Sequence, residues 1–572
     1  MSFVIFVVFV FAVFFRPTTH YATRMANPTL AILNGRIWSN GPATAIALAG
    51  DRIVAVGSDR EIRSLCSAET RILDAAGGSV LPGFNDAHVH LESSGGNLLG
   101  IDLREARDEA DFARRLGRYL ADQPAGRWIR RGIWDHENWP SHRLPTRQVL
   151  DPVSPRHPVF LSRLDGHVAV ANSLALAAAK IDRHTADPAG GRIGRESDGT
   201  PNGLFFDTAL ALIRQAMPAA TESDRLEAIE TGLRHAAAHG LTSLQAMCGT
   251  GEYDLLRRLE QSGRLPIRVR AILPPEVLDG GTGFQPVAGR QEENPQAESL
   301  CHLKKSPQAE SLCHQGFLRT GAIKLFADGS FGAATALLFE PYDDRPDSSG
   351  LAIYEPGQLE ELIGRIDAAG LQAAVHAIGD RAVDRVLTAF ERVLAAGGRR
   401  QARHRIEHAQ MVRPADRARF GAAGLIASIQ PSHCIDDLRW ISNRLGGRCR
   451  MAYPYRSLAA AGAPIALGTD WDVEPLNPML TLYAAITRQT TAGDPPAGWF
   501  ADETVTLAQA IRDYTFGSAY AEFAEADKGT LEPGKLADLV ILSRDIAACA
   551  PAELLATRPR ATIAGGRVVF EA

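Results

Sequence analysis

Two histidines one residue apart, His88 and His90, close an apolar run that passes through a Pro-Gly break: Leu81-Pro82-Gly83-Phe84-Asn85-Asp86-Ala87-His88-Val89-His90. In an extended segment residues i and i+2 share a face, so both imidazoles point the same way and could grip a metal ion at a strand end. A His-x-His pair alone is weak evidence. Its weight comes from the far half of the chain, where Lys324, His376, His408 and Asp470 each stand in, at or just past a short apolar run. A divalent ion such as zinc takes neutral imidazole and carboxylate ligands, and a catalytic site leaves one position open for water.

Each of these residues also has an ordinary structural role to weigh. His376 could be a core imidazole, His408 one of several surface polar groups, and Asp470 the cap of the following helix. Taken together they favour a shared site. Lys324 differs, because an ammonium carries no lone pair and repels a cation. It could snorkel or pair with a carboxylate. Alternatively burial lowers its pKa, the neutral amine adds carbon dioxide, and the resulting carbamate bridges two metal ions.

Only a closed scaffold can bring such scattered residues to one point. The middle of the chain alternates strand-like runs with helical stretches, the pattern of parallel βα units. Eight strands are expected, at residues 80–90, 241–247, 267–273, 322–326, 371–376, 405–408, 425–430 and 463–470. Eight is the number that closes a (β/α)8 TIM-like barrel, whose chemistry sits at the C-terminal strand ends. Strand-like text with Gly-containing turns recurs at both chain ends, which implies a small β-sandwich domain from residues 27–80 plus 529–572 around the barrel at 81–528.

Two insertions interrupt the barrel. Residues 101–221 are expected to form a subdomain that shapes the substrate pocket, and within it Asp135, Asp165 and His167 are candidates for substrate contact. Residues 281–316 carry a duplicated Pro-Gln-Ala-Glu-Ser-Leu-Cys-His. The paired Cys-His invites a zinc reading, but exact duplication copies whatever it contains and the flanks are polar, so a disordered loop is expected.

The 572 residues are 45% hydrophobic and 22% charged with net charge −5, an ordinary globular balance. No basic run could neutralise phosphates, so no nucleic-acid partner is expected, and the substrate should be a small molecule. Seven unevenly placed cysteines imply no disulfide framework and fit a reducing compartment, hence the cytoplasm. Residues 2–15 are apolar, but no basic residue precedes them and Arg16 follows. An over-extended start within residues 1–26 is expected, with export as the alternative and no stable membrane partner. The oligomeric state is open, a homodimer included.

The order His-x-His after strand one, Lys on strand four, His after strands five and six and Asp after strand eight resembles the metal-dependent amidohydrolase superfamily. The blocks Ile323-Lys324-Leu325-Phe326-Ala327-Asp328-Gly329-Ser330, His376-Ala377-Ile378-Gly379-Asp380-Arg381-Ala382, Arg403-His404-Arg405-Ile406-Glu407-His408 and Gly468-Thr469-Asp470 look like its amidohydrolase 3 branch, which includes N-substituted formamide deformylases. The resemblance implies that His88, His90 and Asp470 bind an inner metal. It also implies that a carboxylated Lys324 bridges to a second ion on His376 and His408, both ions being zinc. Asp470 would then take the proton of the attacking water and pass it to the departing amine while the metal stabilises the oxyanion. The implied reaction is hydrolysis of a C–N bond in an N-substituted formamide or other exocyclic amide. A one-metal deaminase of the same superfamily is the alternative, disfavoured by the retained Lys324. A non-catalytic scaffold is the third reading, disfavoured because every ligand position is kept.

Overall fold

The computed structural model describes residues 27–39, 41–137, 139–164, 166–188, 190–279, 316–355 and 357–572. The apolar leader, residues 281–315 of the duplicated insertion and Asp165 lie outside the described residues.

At the centre is an eight-stranded sheet of β1 (Phe84–Val89), β2 (Leu241–Met247), β3 (Arg268–Leu273), β4 (Leu318–Phe326), β5 (Gln372–Ala377), β6 (Arg405–His408), β7 (Ile426–Ile429) and β8 (Ile465–Leu467). The strands follow one another in chain order and every neighbouring pair is parallel. These strands read as near-continuous apolar runs because helices cover them outside and side chains fill them inside. The covering helices show the matching period: in Asp380–Ala395, Val383, Val386, Leu387, Phe390 and Val393 are buried on one stripe.

The chain closes the barrel at its functional end. Asp470 N donates to His88 O at 2.8 Å and His90 N donates to Trp471 O at 2.7 Å, and Val89 pairs with Trp471 in a parallel bridge. The join therefore runs through the histidine pair and the aspartate. α1 (Leu91–Leu98) starts directly after His90 and packs on α2 (Glu222–Ala238). That packing is close because Gly95 faces α2, where a Cβ would lie 2.1 Å from the carbonyl oxygen of Ala228.

The expected first strand divides in two. Ser79–Pro82 pairs with Arg36–Ile37 and Leu539–Leu542 in a separate sheet, and the chain enters β1 only after Gly83. At Gly83 a Cβ would come within 2.2 Å of the Thr242 side chain, so the crossing from one sheet to the next needs glycine. That sheet runs Arg36–Ile37, Ser79–Pro82, Leu539–Leu542, Pro559–Ala564 and Arg567–Glu571, mixing strands from both chain ends. A four-stranded sheet of Arg52–Gly57, Ala45–Ala49, Leu30–Leu33 and Arg71–Asp74 shares an apolar cluster with it, including Ile32, Leu48, Leu73, Val80, Leu539 and Ile563.

The insertion after α1 builds a six-stranded sheet from Ile101–Leu103 to Pro201–Asp207. Phe112, Trp134 and Trp139 form the centre of its own core. Both indoles are satisfied, Trp134 Nε1 donating to Leu161 O and Trp139 Nε1 to Ala106 O, each at 2.8 Å. The five cysteines among the described residues are free thiols. No helix among the described residues is long and apolar enough to cross a membrane.

Candidate metal centre at the barrel mouth

Period-2 alternation on β1 places Asp86 and His88 inside the barrel, and His90 continues that face one step past the strand. Asp86 anchors the site from below. It accepts from Thr469 N (3.0 Å), Thr469 Oγ1 (2.9 Å), His88 N (3.1 Å) and Tyr514 OH (2.7 Å), and burial pushes its carboxyl up to about 6.

His88 is fully buried, and its Nδ1 donates to Glu407 Oε2 at 2.7 Å. That leaves Nε2 with the lone pair. Glu407 shares the inward face of β6 with Arg405, whose guanidinium reaches Glu407 Oε1 (2.5 Å) and Oε2 (3.0 Å), Gln245 Oε1 (2.5 Å), Ala87 O (2.7 Å) and Ser428 Oγ (2.9 Å). Burial opposes ionisation of Glu407, but Arg405 and His88 hold its carboxyl well below the usual range.

Asp470 takes a left-handed backbone, φ 56°, just beyond β8, which turns its carboxylate into the mouth. Asp470 Oδ1 lies 3.5 Å from His88 Nε2 and 3.2 Å from His90 Nε2, while Oδ2 lies 3.8 Å from both His408 Nδ1 and His433 Nε2. Despite this proximity Oδ1 is buried without a hydrogen-bond donor, and so is Nε2 of His433 without an acceptor. Burial disfavours the Asp470 anion, but the surrounding imidazoles outweigh it and hold the carboxyl well below the carboxylate range. Burial also opposes protonation of His90, yet the adjacent Asp470 raises its pKa.

Lys324 projects inward from β4, with Nζ 3.3 Å from His88 Nε2 and 4.8 Å from the centre of the Phe326 ring. Burial lowers its ammonium to about 8. His376, on β5, donates from Nε2 to Gly329 O at 3.1 Å, and His408 places Nδ1 2.9 Å from Gln430 Oε1. Burial, reinforced by Lys324 for His376 and His88 and by His376 for His408, keeps all three imidazoles neutral: His376 at about 3, His88 at about 4 and His408 well below its ordinary value.

These shifts carry a pH signature. A histidine whose folded pKa is depressed leaves the unfolded chain binding the extra proton, so stability rises with pH across the window. The contribution of a neutral His376 is whole above about 6.5 and is lost as pH falls toward about 3. In metal-free protein the stability advantage of wild type over His376→Gln is therefore expected to shrink on acidification by up to about 1.4 kcal/mol per pH unit. Guanidinium unfolding across a pH series measures it, and a difference that does not change with pH would refute the shift.

Two donor sets are pre-assembled. Ligand atoms of His88, His90 and Asp470 lie within 4.8 Å of one another, and so do those of His408, His433 and Asp470. Imidazoles around an ionised carboxylate whose buried Oδ1 has no hydrogen-bond partner form the kind of set a divalent cation takes. His376 joins neither set. His433 was not among the residues expected from sequence, although it stands just past a strand end in Gln430-Pro431-Ser432-His433, as the expected ligands do. Glu407 and Arg405 were also missed, since a carboxylate two residues from an arginine reads as surface charge until both are seen inside a barrel.

The set opens on a cleft lined by Phe326, Phe331 and Trp440 and by an acidic wall of Asp436, Asp437 and Glu474. Arg163 and His167 of the insertion also line it. His167 Nδ1 lies 2.9 Å from Asp207 Oδ1. Asp135 stands behind the cleft wall, with its Oδ1 accepting from Arg163 at 2.9 Å.

The amidohydrolase family model matches residues 71–570, nearly the whole described chain. The chain belongs to the amidohydrolase family. This amidohydrolase is 33% identical to Protein LONG AFTER FAR-RED 3 of Arabidopsis thaliana, over 90% of this chain and 87% of that protein. It is 29% identical to N-substituted formamide deformylase of Arthrobacter pascens, over 95% of this chain and 98% of the relative. Among solved structures, an uncharacterized metal-dependent hydrolase from Pyrococcus horikoshii superposes with TM-score 0.71 at 29% identity, covering 91% of this chain and 99% of that one.

Proposed function

We propose that this amidohydrolase is a metal-dependent hydrolase of a C–N bond in a small N-substituted amide, an N-formyl or other N-acyl amine. One observation carries the reading: the buried, donor-free Oδ1 of Asp470, faced by Nε2 of His88 and His90 at the closed mouth of the barrel. The similarity to a protein named N-substituted formamide deformylase supports the amide class. His88, His90 and Asp470 would hold the ion. A divalent cation there supplies Lewis acidity, which makes water a nucleophile near neutral pH and polarises a carbonyl.

The remaining work falls to the chain's own side chains. Asp470, ionised and inside the cleft, accepts the proton of the attacking water and returns it to the departing nitrogen. Glu407 holds His88 in the tautomer that offers Nε2. Lys324 has to lose its positive charge for a cation to sit beside His88. Addition of its neutral amine to carbon dioxide does this, forming the N–C bond of a carbamate and releasing one proton. The insertion shapes the substrate pocket, and the two terminal sheets make the small β-sandwich domain.

A screen of N-formyl and N-acyl amines tests the proposal on protein stripped with a chelator and reloaded with zinc. Release of amine and acid that vanishes on stripping, returns on reloading and is absent in His88→Ala is the expected result. If the reloaded protein hydrolysed none of these amides, or if His88→Ala matched wild type in metal content, the proposal would fail.

A further inference from the structure

The acidic wall of the cleft has no part in the chemistry proposed above. Asp436 and Asp437 close the helix Pro431–Asp437, which follows β7, and Glu474 lies beyond Asp470 on the segment after β8. Two neighbouring connections of the barrel thus set three carboxylates on one cleft, with Trp440 beside them.

The arginines of this region leave Glu474 without a counterion. Arg163, which lines the same cleft, lies 2.9 Å from Asp135 Oδ1 and 3.9 Å from Glu137 Oε1. Arg439 folds back on its own segment, donating to Asp436 O at 2.9 Å and pairing with the Asp436 carboxylate. Arg104 forks Asp102, its Nε 3.0 and 3.1 Å from the two oxygens. Asp437 accepts from the hydroxyl of Tyr453.

Glu474 is 7% exposed, and among the described residues its carboxylate has no hydrogen-bond or ion-pair partner. Such a group is costly, because burial removes its water and nothing in the chain replaces it. Burial, and then the Asp436 and Asp437 charges, push the Glu474 carboxyl well above its ordinary range, and burial followed by Asp436 pushes Asp437 up to about 8. On the same cleft, Nε2 of His433 is also buried without a partner. Two orphaned polar groups on one cleft point to a molecule that binds between its walls.

The partner that Glu474 lacks is a cation with hydrogen-bond donors. A primary ammonium brings one positive charge and three donors, and Trp440 and Phe331 give an aliphatic stem apolar surface to pack on. A metal ion fits less well, since Asp436 and Asp437 are already engaged by Arg439 and Tyr453.

We propose that the amide taken by this cleft carries an ammonium group away from its scissile C–N bond, and that Glu474 binds that group, with Asp436 and Asp437 adding attraction. The proposal rests on the reading of the chain as an amide hydrolase and names the substrate class of that site. It makes Glu474 a specificity-determining residue.

The test uses zinc-loaded, full-length protein and two formamides of equal length: N-formylcadaverine, which ends in an ammonium, and N-formylhexylamine, which ends in a methyl group. Wild type is expected to favour the ammonium substrate in kcat/KM by about 10–100-fold, the worth of a hydrogen bond to a charged group, and to do so mainly through KM. Glu474→Gln should bring the ratio of the two close to one. Calorimetry with pentylammonium against pentanol reads the same site without turnover, and Glu474→Gln should weaken the ammonium by the same factor. Thermal melting checks folding. If Glu474→Gln does not fold, Asp436→Asn decides: its side chain is 35% exposed, and the variant should narrow the ratio severalfold. A wild-type ratio near one, a ratio unchanged in the deciding variant, or pentylammonium bound no better than pentanol would each overturn the proposal. Hydrolysis of neither formamide would instead sink the amide reading, and calorimetry would still decide whether Glu474 holds an ammonium.

Discussion

Asp470→Asn should lower the turnover of the metal-loaded enzyme by about 10²–10⁴-fold, the range that a positioned proton-transfer group supplies. The substitution is nearly isosteric, and asparagine is among the few residues that tolerate the left-handed backbone, φ 56°, found here. An alanine would confound lost chemistry with backbone strain. Asn keeps one oxygen but is neutral, so it binds a cation more weakly and takes no proton from water. Metal content and kcat on an active amide should fall together. Turnover equal to wild type would remove Asp470 from the chemistry and leave it a role in barrel closure, where its N–H donates to His88 O.

Arg405→Met is expected to cost about 3–5 kcal/mol of folding stability, the cost of breaking a buried ion pair by removing one partner. Arg405 and Glu407 are both fully buried inside the barrel, so the orphaned carboxylate has no water to turn to. The double variant Arg405→Met with Glu407→Leu removes both charges and should cost clearly less than the sum of the single variants. Glu407→Leu by itself also frees Nδ1 of His88, and the first metal equivalent should bind about 10–100-fold more weakly. Denaturant unfolding of the metal-free variants and chelator competition read the two effects separately. Additive losses in the double variant would mean that the two residues do not act as a pair.

The stack from Arg405 through Glu407 to His88 and on to the cleft shows how the barrel uses its interior. Most inward positions of such barrels are apolar filling. Here an arginine, two carboxylates and a glutamine fill the layer beneath the histidines, and each is hydrogen-bonded to groups from other parts of the chain. The rigidity of that layer is what lets an unpaired carboxylate oxygen and neutral imidazoles face one another in the cleft.

Much of this architecture was present in local text. The eight runs that alternate with helical stretches are the eight barrel strands, because apolar runs bounded by turn residues encode a strand through neighbours in the chain. The order of His88, His90, Lys324, His376, His408 and Asp470 along those runs pointed to the amidohydrolase family, which the match over residues 71–570 bears out. The first expected strand was too long because period and polarity do not change at Gly83. What changes there is the sheet to which the backbone bonds.

By itself the sequence determined which strands form, in what order they meet, and that chemistry-bearing residues stand at their ends. Only the tertiary structure decided which of those residues share a point in space. Closure of β8 onto β1 sets Asp470 against the histidine pair, and the turn after β7 carries His433 to its other face. The reason is physical: strand identity depends on residues a few positions apart, whereas convergence at the mouth depends on the closed geometry of all eight strands together. Lys324 was legible as a buried cation; that it lies against His88, and His376 against Gly329, was not.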